Sequence, residues 1–467
     1  TNVYWLTDEG FRKGLRTVLK EIDNDKDDRR RGKTFRRRLR GRSRGRRGRR
    51  AWGPFRRRHQ RDTAADQPKT PVVFKDTVHS ENNDMYWMEP ADTGEVDDHF
   101  FNWSYIWAPA AVDFDVYLPD AADYEAQARL GLALQGITCD FEGPDHHLLV
   151  YLNGRYVDDI YWEGNNAVTE KMDIPQSYLN EGLNTVTLEA PLDIQAWYDL
   201  TLLNWIEVSY WRNFEAENDM LSFTHEGRGE YTYKISGFSQ EEVVVYEVSN
   251  PLRPARLAVD ETVMAADGTY TVRFTDMLEA GKGRTAAGKY LVVSESVVMY
   301  PEAVSSYESS RLRDQTVQTD YIFITHADFY DGIQPLADHR SSEGLNVEVV
   351  DVQDIYDEFN YGIFSPEAIK NFLEYTYTDW PQPAPVYVCL VGDATYDYRN
   401  DEGWGCKNYV PTYMMHSSIF GETGTDNWFV CLDGEDDLIP DMFLGRLPVY
   451  QSSQLEIIVD KIISYEQ

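Results

Sequence analysis

The sequence is poor in cysteine and lysine, and it lacks long apolar runs. Its 467 residues include 4 Cys, no two of which have the C-x-x-C spacing typical of zinc and redox sites. No run of 18 apolar residues occurs, so the sequence predicts no transmembrane segment. Lysine supplies 13 of the 45 basic residues. These absences argue against a helical membrane protein and against a cysteine-rich metal or redox domain.

Charge is distributed very unevenly along the chain. Residues 29–61 contain 18 Arg or Lys and no acid, which leaves 27 basic and 79 acidic residues elsewhere, a formal charge of −52. An Arg/Gly segment can bind phosphate backbones. However, the acidic remainder would repel nucleic acid, so we expect no nucleic-acid partner and interpret residues 23–71 as a disordered Arg-rich insertion. The acidic, Lys-poor remainder suits high salt or a calcium-rich exterior, or is simply that of a soluble acidic protein.

The first half of the chain has the pattern of antiparallel β-domains. The length and a hydrophobic content of 42% predict more than one core. After a short strand-like opening within residues 1–22, turn signals separate apolar runs at 130–134, 148–152, 185–188 and 206–210. We therefore predict a jelly-roll-like β-sandwich over 72–215 and a small β-sandwich over 216–310. His146 and His147 are adjacent in one strand and point to opposite faces, so they cannot chelate a metal as a pair.

The sequence pattern in the last third of the chain predicts alternating strands and helices. Strands are expected at 321–325, 345–352 and 386–391, and helices at 335–344 and 365–380, the second with Ser365 as its N-cap and Pro366 at its first position. This order is typical of a mostly parallel sheet with right-handed crossovers. Asp393 follows the strand 386–391, at the edge where α/β proteins place their ligands.

Nine segments of this region resemble, in order, the first half of a gingipain-type cysteine peptidase domain, which has a caspase-like α/β fold. They are D-Y-I-F-I-T-H at 320–326, S-E-G-L at 342–345, D-I-Y-D-E-F-N-Y-G at 354–362, S-P-E-A-I-K-N-F-L at 365–373, L-V-G-D at 390–393, V-P-T-Y at 410–413, T-D-N at 425–427, F-L-G-R-L-P-V at 443–449 and D-K-I-I-S-Y-E at 460–466. The resemblance covers residues 318–467. The expected architecture is therefore multidomain, with N-terminal β-sandwich domains followed by half of a caspase-like α/β domain.

The resemblance implies a fragment of a secreted cysteine endopeptidase that cleaves a protein or peptide substrate. Its Cys–His dyad is expected beyond residue 467, since the family's His-Gly pair does not occur in this sequence. The opening N-V-Y-W-L-T and the jelly roll favour the branch that processes type IX secretion signals, which implies an extracellular or outer-membrane surface location and secretion-system partners. The alternative is a non-catalytic surface scaffold whose β-sandwiches bind glycan or protein. The gene sequence after codon 467 distinguishes the two hypotheses.

The cysteines leave two further possibilities. An in-chain dyad would have to join Cys406 to His326 or His416, although spacing within loops is weak evidence for it. Cys406 and Cys431 could instead form a disulfide in an oxidising compartment. Cys389 lies in the middle of a predicted strand and is expected to be a small buried hydrophobic residue.

The resemblance also implies a structural calcium ion shared by Asp393 and the loop 433–441. By position, the carboxylate ligands would be Asp393, Asp441 and either Asp436 or Asp437. Gly434 and Ile439 would offer carbonyl oxygens. Calcium takes six to eight hard oxygen ligands, and a cation would relieve the mutual repulsion of closely spaced carboxylates. A solvated acidic turn is the alternative.

We predict that deleting residues 29–61 leaves the melting temperature of the chain unchanged. The segment has unbalanced charge and no apolar periodicity, so it cannot bury enough surface to offset the entropy of ordering it. Differential scanning calorimetry of both forms measures this. A drop of several degrees on deletion would show that the segment docks onto the acidic remainder.

Overall fold

The computed structural model describes residues 68–89, 98–139, 143–279, 286–300, 310–434 and 437–467. The predicted opening strand, the Arg-rich segment up to residue 67 and Asp436 lie outside the described residues. The described chain forms two antiparallel β-sandwiches followed by an α/β domain with a parallel sheet, which confirms the predicted fold class. None of the described helices is long and apolar enough to cross a membrane.

The first sandwich has the predicted jelly-roll-like form. Its strands are β1 (Val73–Glu81), β2 (Met85–Tyr86), β3 (Phe100–Phe101), β4 (Ile106–Trp107), β5 (Ala110–Leu118), β6 (Gln127–Gly136), β7 (His146–Leu152), β8 (Arg155–Trp162), β9 (Ala167–Pro175), β10 (Gly182–Ala190) and β11 (Leu200–Asn213). One sheet has the order β1-β11-β6-β9, with β4 also on β11, and the other has the order β5-β10-β7-β8. Every second residue of β10 is buried, as expected for a strand with one face on the core. Strands β2 and β3 form a separate antiparallel hairpin.

The adjacent histidines of β7 contact two different carboxylates. His146 is fully buried, and its Nδ1 lies 2.7 Å from Oδ1 of Asp199. Nδ1 of His147 lies 2.6 Å from Oδ1 of Asp193. Each ring therefore has its own carboxylate partner, and these contacts give both histidines a structural role.

The second sandwich is smaller and shares a side chain with the first. Its strands are β12 (Met220–Glu226), β13 (Gly229–Phe238), β14 (Val243–Glu247), β15 (Ala255–Leu257), β16 (Glu261–Met264), β17 (Tyr270–Leu278) and β18 (Ala287–Ser294), in sheets ordered β12-β18-β14-β15 and β13-β17-β16. Phe74 of β1 belongs to this second core, with ring centroids 4.9 Å from Phe214 and 5.6 Å from Phe223. The two sandwiches are therefore packed together at the point where the chain passes between them.

The α/β domain contains one parallel sheet with both faces covered. Its elements are β19 (Tyr321–Thr325), α1 (Tyr330–Ser342), β20 (Val347–Asp351), α2 (Val352–Asn360), α3 (Pro366–Asp379), β21 (Tyr387–Val391), β22 (Tyr413–Ser417), β23 (Gly421–Thr425), β24 (Phe443–Leu447) and α4 (Ser452–Glu466). The sheet order is β20-β19-β21-β24, and each of these pairs is parallel. Helices α2 and α3 pack on one face, and α1 and α4 on the other. Strands β22 and β23 form an antiparallel hairpin outside this sheet.

Most predicted elements of this domain are confirmed, and one helix boundary is wrong. Ser365 caps α3, accepting a hydrogen bond from the Glu367 amide at 3.1 Å. Helix α1 begins at Tyr330, five residues before the predicted start at Pro335. The prediction placed the start too late because proline favours the first turn of a helix, whereas here Pro335 lies inside it.

Candidate functional site

The carboxyl edge of the parallel sheet collects polar residues from three neighbouring strands. His326 follows β19, Asp351 ends β20, and Asp393 lies two residues after β21. The chain leaves β19 toward β20 on one side and returns to β21 on the other, so the strand order reverses at β19. Ligands of open α/β sheets bind in the crevice at such a reversal. This edge is therefore the candidate functional site of the α/β domain.

A glycine allows the turn after β21 to pack closely against a second loop. Gly392 has φ +142°, and a Cβ at this position would lie 2.7 Å from Cβ of Tyr409. The Asp393 amide donates to the Val449 carbonyl at 2.9 Å, and its own carbonyl accepts from the Tyr409 amide at 3.0 Å. The Asp393 carboxylate accepts a hydrogen bond from the Ala394 amide at 3.0 Å. These backbone bonds fix the position of Asp393 at the edge.

Arg446 of β24 holds three loops together beside this turn. Its guanidinium forms a bidentate pair with Asp426, with both N···O distances 2.7 Å. It also donates to the carbonyls of Gly392 at 2.8 Å, Val410 at 2.6 Å and Pro411 at 3.0 Å. The side chain is 12% exposed. One arginine thus connects the segments L-V-G-D, V-P-T-Y and T-D-N, which lie far apart in the sequence.

Burial and neighbouring charges shift the pKa values of three titratable groups near the edge. Burial and the neighbouring Lys407 lower the pKa of His326, and its Nδ1 accepts a hydrogen bond from the Asp328 amide at 3.0 Å. The hydrogen bond from Lys407, at 2.8 Å, lowers the pKa of Asp328. On α2, burial and the charge of Asp351 raise the pKa of Asp354 to about 6. The edge therefore contains an imidazole of lowered pKa next to the ion pair of Lys407 and Asp328.

The structure provides no support for a dyad within the described chain. Cys406 is exposed, and no hydrogen bond joins its Sγ to His326 or His416 in the described residues. The ring of His326 instead lies edge-on to Tyr409, with centroids 5.3 Å apart. Cys406 and Cys431 are not disulfide-bonded, and Cys431 is buried while Cys406 is exposed.

Two of the predicted calcium ligands, Asp393 and Asp441, lie at opposite edges of the sheet. Strands β21 and β24 are parallel, and Asp393 pairs with Val449 at the carboxyl edge, whereas Asp441 precedes β24 at the opposite edge. About 20 Å of strand separates Phe443 from Val449, at roughly 3.3 Å per residue. The predicted pairing of Asp393 with Asp441 at one ion is therefore wrong. It treated the residues before a parallel strand as neighbours of the residues after the adjacent strand.

Two carboxylates of the 433–441 loop, those of Asp437 and Asp441, have protein donors of their own. Asp437 accepts from the amides of Ile439 at 3.0 Å and Asp433 at 3.2 Å, and these backbone bonds lower its pKa, with Lys370 contributing. Asp441 accepts from the Leu432 amide at 2.9 Å. The amide of Asp437 in turn donates to the carbonyl of Gly434 at 3.4 Å. The described residues of this loop therefore form a hydrogen-bonded acidic turn.

One other side-chain cluster has ligand atoms close together. Among the described residues, only His339, Glu343 and Glu466 bring three candidate ligand atoms within 4.8 Å of one another. Arg340 occupies this cluster, donating to both oxygens of Glu466 at 2.6 and 2.9 Å and to Glu343 at 2.9 Å. The guanidinium already supplies the compensating positive charge, so the cluster is an ion-pair network that joins α1 to α4.

The Arg446 contacts were missed by sequence reasoning. A usable signal was present, because a charged residue within an apolar strand requires a buried partner. The partner itself could not be read from the sequence, since Asp426 lies 20 residues earlier, in the loop after β23.

Comparison with known proteins identifies the α/β region. The family model described as peptidase family C25 matches residues 314–467, which confirms the resemblance to gingipain-type domains for this part of the chain. No curated protein matches the chain.

The fold is similar to that of a solved structure. A crystal structure of dimeric latent PorU from Porphyromonas gingivalis is similar with a TM-score of 0.62 and 17% identity, covering 85% of this chain and 38% of that one. The present chain thus spans 38% of the length of that protein. A structure described as a protease has 24% identity and a TM-score of 0.23, covering 32% of this chain and 28% of that one. The C-terminal CBM6 module of a marine laminarinase from Zobellia galactanivorans has 13% identity and a TM-score of 0.16, and the match covers 29% of this chain and 99% of that module. The last two scores are too low to support an argument.

We predict that Arg446→Ala destabilises the α/β domain by about 3 kcal/mol, because it leaves the Asp426 carboxylate and three carbonyls without their donor. This corresponds to a fall of roughly 6–12 °C in the calorimetric transition of a domain of this size. Arg446→Lys retains the charge but loses the bidentate fork, so its loss should be intermediate. Arg399→Ala, at an exposed position in the same domain, is the matched control and should change little. Equal effects at Arg446 and Arg399 would contradict the prediction.

Without Asp393, the predicted set keeps Asp437, Asp441, Gly434 and Ile439, and calcium binding by these loop residues stays a prediction. If the loop binds calcium, the ion should raise the melting temperature by mass action, and Asp437→Asn with Asp441→Asn should remove that response. Asp393→Asn should leave the response intact, because Asp393 lies at the other edge of the sheet. Thermal unfolding with added calcium and with a chelator measures this response in the unchanged chain, in the double variant and in Asp393→Asn. A response abolished by Asp393→Asn would contradict the observed separation.

Proposed function

We propose that the chain is part of a gingipain-like cysteine endopeptidase, which hydrolyses peptide bonds in a protein or peptide substrate. The observation that carries this proposal is the match of residues 314–467 to peptidase family C25. The α/β fold of the same residues supports it, since they form a parallel sheet whose strand order reverses at β19, the position at which such sheets bind ligands. The N-terminal β-sandwiches precede this part as separate cores.

Hydrolysis by this class needs a thiolate nucleophile, an imidazole base and backbone donors for the oxyanion. No described residue of this chain is assigned to the nucleophile or to the base. The residues that are present have a supporting role in the proposal. Arg446 and Gly392 hold the loops at the carboxyl edge, and they limit how that edge can move when a substrate binds.

The finer proposal is that the parent protein belongs to the branch that processes type IX secretion signals. Its support is the likeness to PorU over 85% of this chain, which extends beyond the peptidase region into the β-sandwiches. On this proposal the protein acts outside the cell or at the outer-membrane surface, and secretion-system components are its partners.

A non-catalytic surface module is the second candidate. Exposed indoles on the first sandwich favour it: Trp103 is 62% exposed, Trp107 58% and Trp197 90%. Trp107 pairs with Leu200, three residues after Trp197, so these two side chains lie at the same end of the sandwich. Aromatic rings presented in this way suit the apolar faces of sugars or a protein partner.

We predict that the 467-residue chain by itself does not cleave peptides, whereas the full-length protein encoded by the gene does so in a thiol-dependent manner. A mixed peptide library, assayed by mass spectrometry with and without iodoacetamide, tests both forms. A full-length protein without activity, together with binding of glycan or protein that is lost in Trp107→Ala and Trp197→Ala, would favour the surface module.

The same experiment can test the dyad within the chain. An unactivated thiol reacts slowly with iodoacetamide at pH 6, because little of it is thiolate. Cys406 should therefore react no faster than Cys139, which is also exposed. Rapid labelling abolished by Cys406→Ala but not by Cys139→Ala would revive an in-chain nucleophile.

A further inference from the structure

The jelly roll contacts the α/β domain through a small set of residues, which we call the latch. On the jelly-roll side are Tyr86, Met88 and His99, which lie on or beside the β2–β3 hairpin. On the α/β side are Tyr396, Glu402, Gly421 and Glu422. The rings of Tyr86 and Tyr396 are stacked, with centroids 4.3 Å apart and an interplanar angle of 24°. The latch joins elements more than 300 residues apart in sequence.

Hydrogen bonds hold the two sides of the latch together. Tyr86 donates through its hydroxyl to Glu422 at 2.9 Å and through its amide to Glu402 at 3.4 Å. Glu402 also accepts from the Tyr396 hydroxyl at 2.5 Å, and this bond raises the pKa of Tyr396 to about 12. Burial, together with the charge of Glu422, raises the pKa of Tyr86. Both tyrosines are therefore protonated donors at any physiological pH.

The buried side of the latch is formed by a histidine and by main chain. His99 is 7% exposed, its Nδ1 lies 2.7 Å from the Trp87 carbonyl, and its Nε2 lies 3.8 Å from Glu422. The Glu422 amide donates to the Met88 carbonyl at 3.1 Å. This bond requires a glycine at position 421, because a Cβ there would lie 1.3 Å from the Met88 oxygen.

The loops that carry the latch residues also lead to the carboxyl edge of the parallel sheet. Residues 394–425 connect Asp393 to Asp426, and the carboxylate of Asp426 pairs with Arg446. Within this stretch, the Tyr409 amide bonds to the Asp393 carbonyl, and Val410 bonds to Arg446. The stretch is therefore held at its base by Arg446 and on its outer side by the jelly roll.

We infer that the jelly roll positions the loops at the carboxyl edge of the peptidase half through the latch. The inference adds a role for the N-terminal domain to the proposed function, and its biological meaning rests on that function. The contact itself does not, so the test uses hydrogen exchange rather than peptide cleavage. The bland alternative is that the two domains only touch here, and that the loops keep their conformation without the contact.

The test compares two glycine substitutions in the 467-residue chain. Gly421 and Gly403 both have φ +70°, so alanine causes similar backbone strain at each. Only Gly421 approaches the jelly roll, whereas a Cβ at Gly403 has nothing within 4 Å. Gly421→Ala should accelerate amide exchange at Glu422 and Tyr409 at least tenfold over Gly403→Ala. Exchange within β19 and β21 should be the same in both variants.

A third variant controls for local misfolding of the β22–β23 hairpin in Gly421→Ala. Tyr86→Ala removes the stacking and the hydroxyl bond from the jelly-roll side, without altering the α/β domain. It should accelerate exchange at Glu422 and Tyr409 in the same direction as Gly421→Ala. Acceleration at Glu422 alone, with Tyr409 unchanged in both variants, would overturn the inference, because the contact would then not reach the edge. Unchanged exchange at both amides in Tyr86→Ala would also overturn it.

Discussion

The arrangement of the α/β domain depends on the partly buried pair between Arg446 and Asp426. A guanidinium taken out of water must satisfy several donors at once, and this one does so on a carboxylate and three backbone carbonyls. The loops after β21 and β23 therefore cannot move independently. The precise position of Asp393 at the sheet edge follows from this constraint, because its own bonds go to Tyr409 and Val449, which border the same loops.

Much of the fold could be predicted because the local signals were consistent. Short apolar runs separated by glycine and asparagine gave the β-sandwiches, and the sequence S-P-E at 365–367 gave the start of α3 correctly. The helix beginning at Tyr330 was mislocated because Pro335 imitates a first-turn residue. Where a local signal conflicts with the tertiary structure, as at this proline, packing of Ile333 and Leu336 against the sheet decides the outcome.

The site was less predictable because it depends on relations between strands. Sequence reasoning placed Asp393 correctly at a carboxyl edge, but it could not tell at which edge Asp441 would lie until the direction of β24 was known. Parallel pairing sends the residues before β24 to the far edge. The contact between Tyr86 and Glu422 had no sequence signal, since neither residue lies in a recognisable motif and the contact forms only between folded domains.

The pairing of β1 with β11 has a mechanical consequence. The chain enters the first sandwich at Val73 and leaves it at Asn213, and these residues pair at the same end of the ladder. A pulling force between the two neighbouring segments would therefore peel this ladder open one bond at a time, the weakest loading geometry for a sheet. The first rungs are reinforced by side chains, with Phe74 inserted into the second core and Arg212 bound to Asp76 and Asp120 at 2.9 and 3.0 Å. Tension that opens this ladder from its N-terminal side would thus have to withdraw Phe74 from the second core and break the Arg212 pairs at the first rungs.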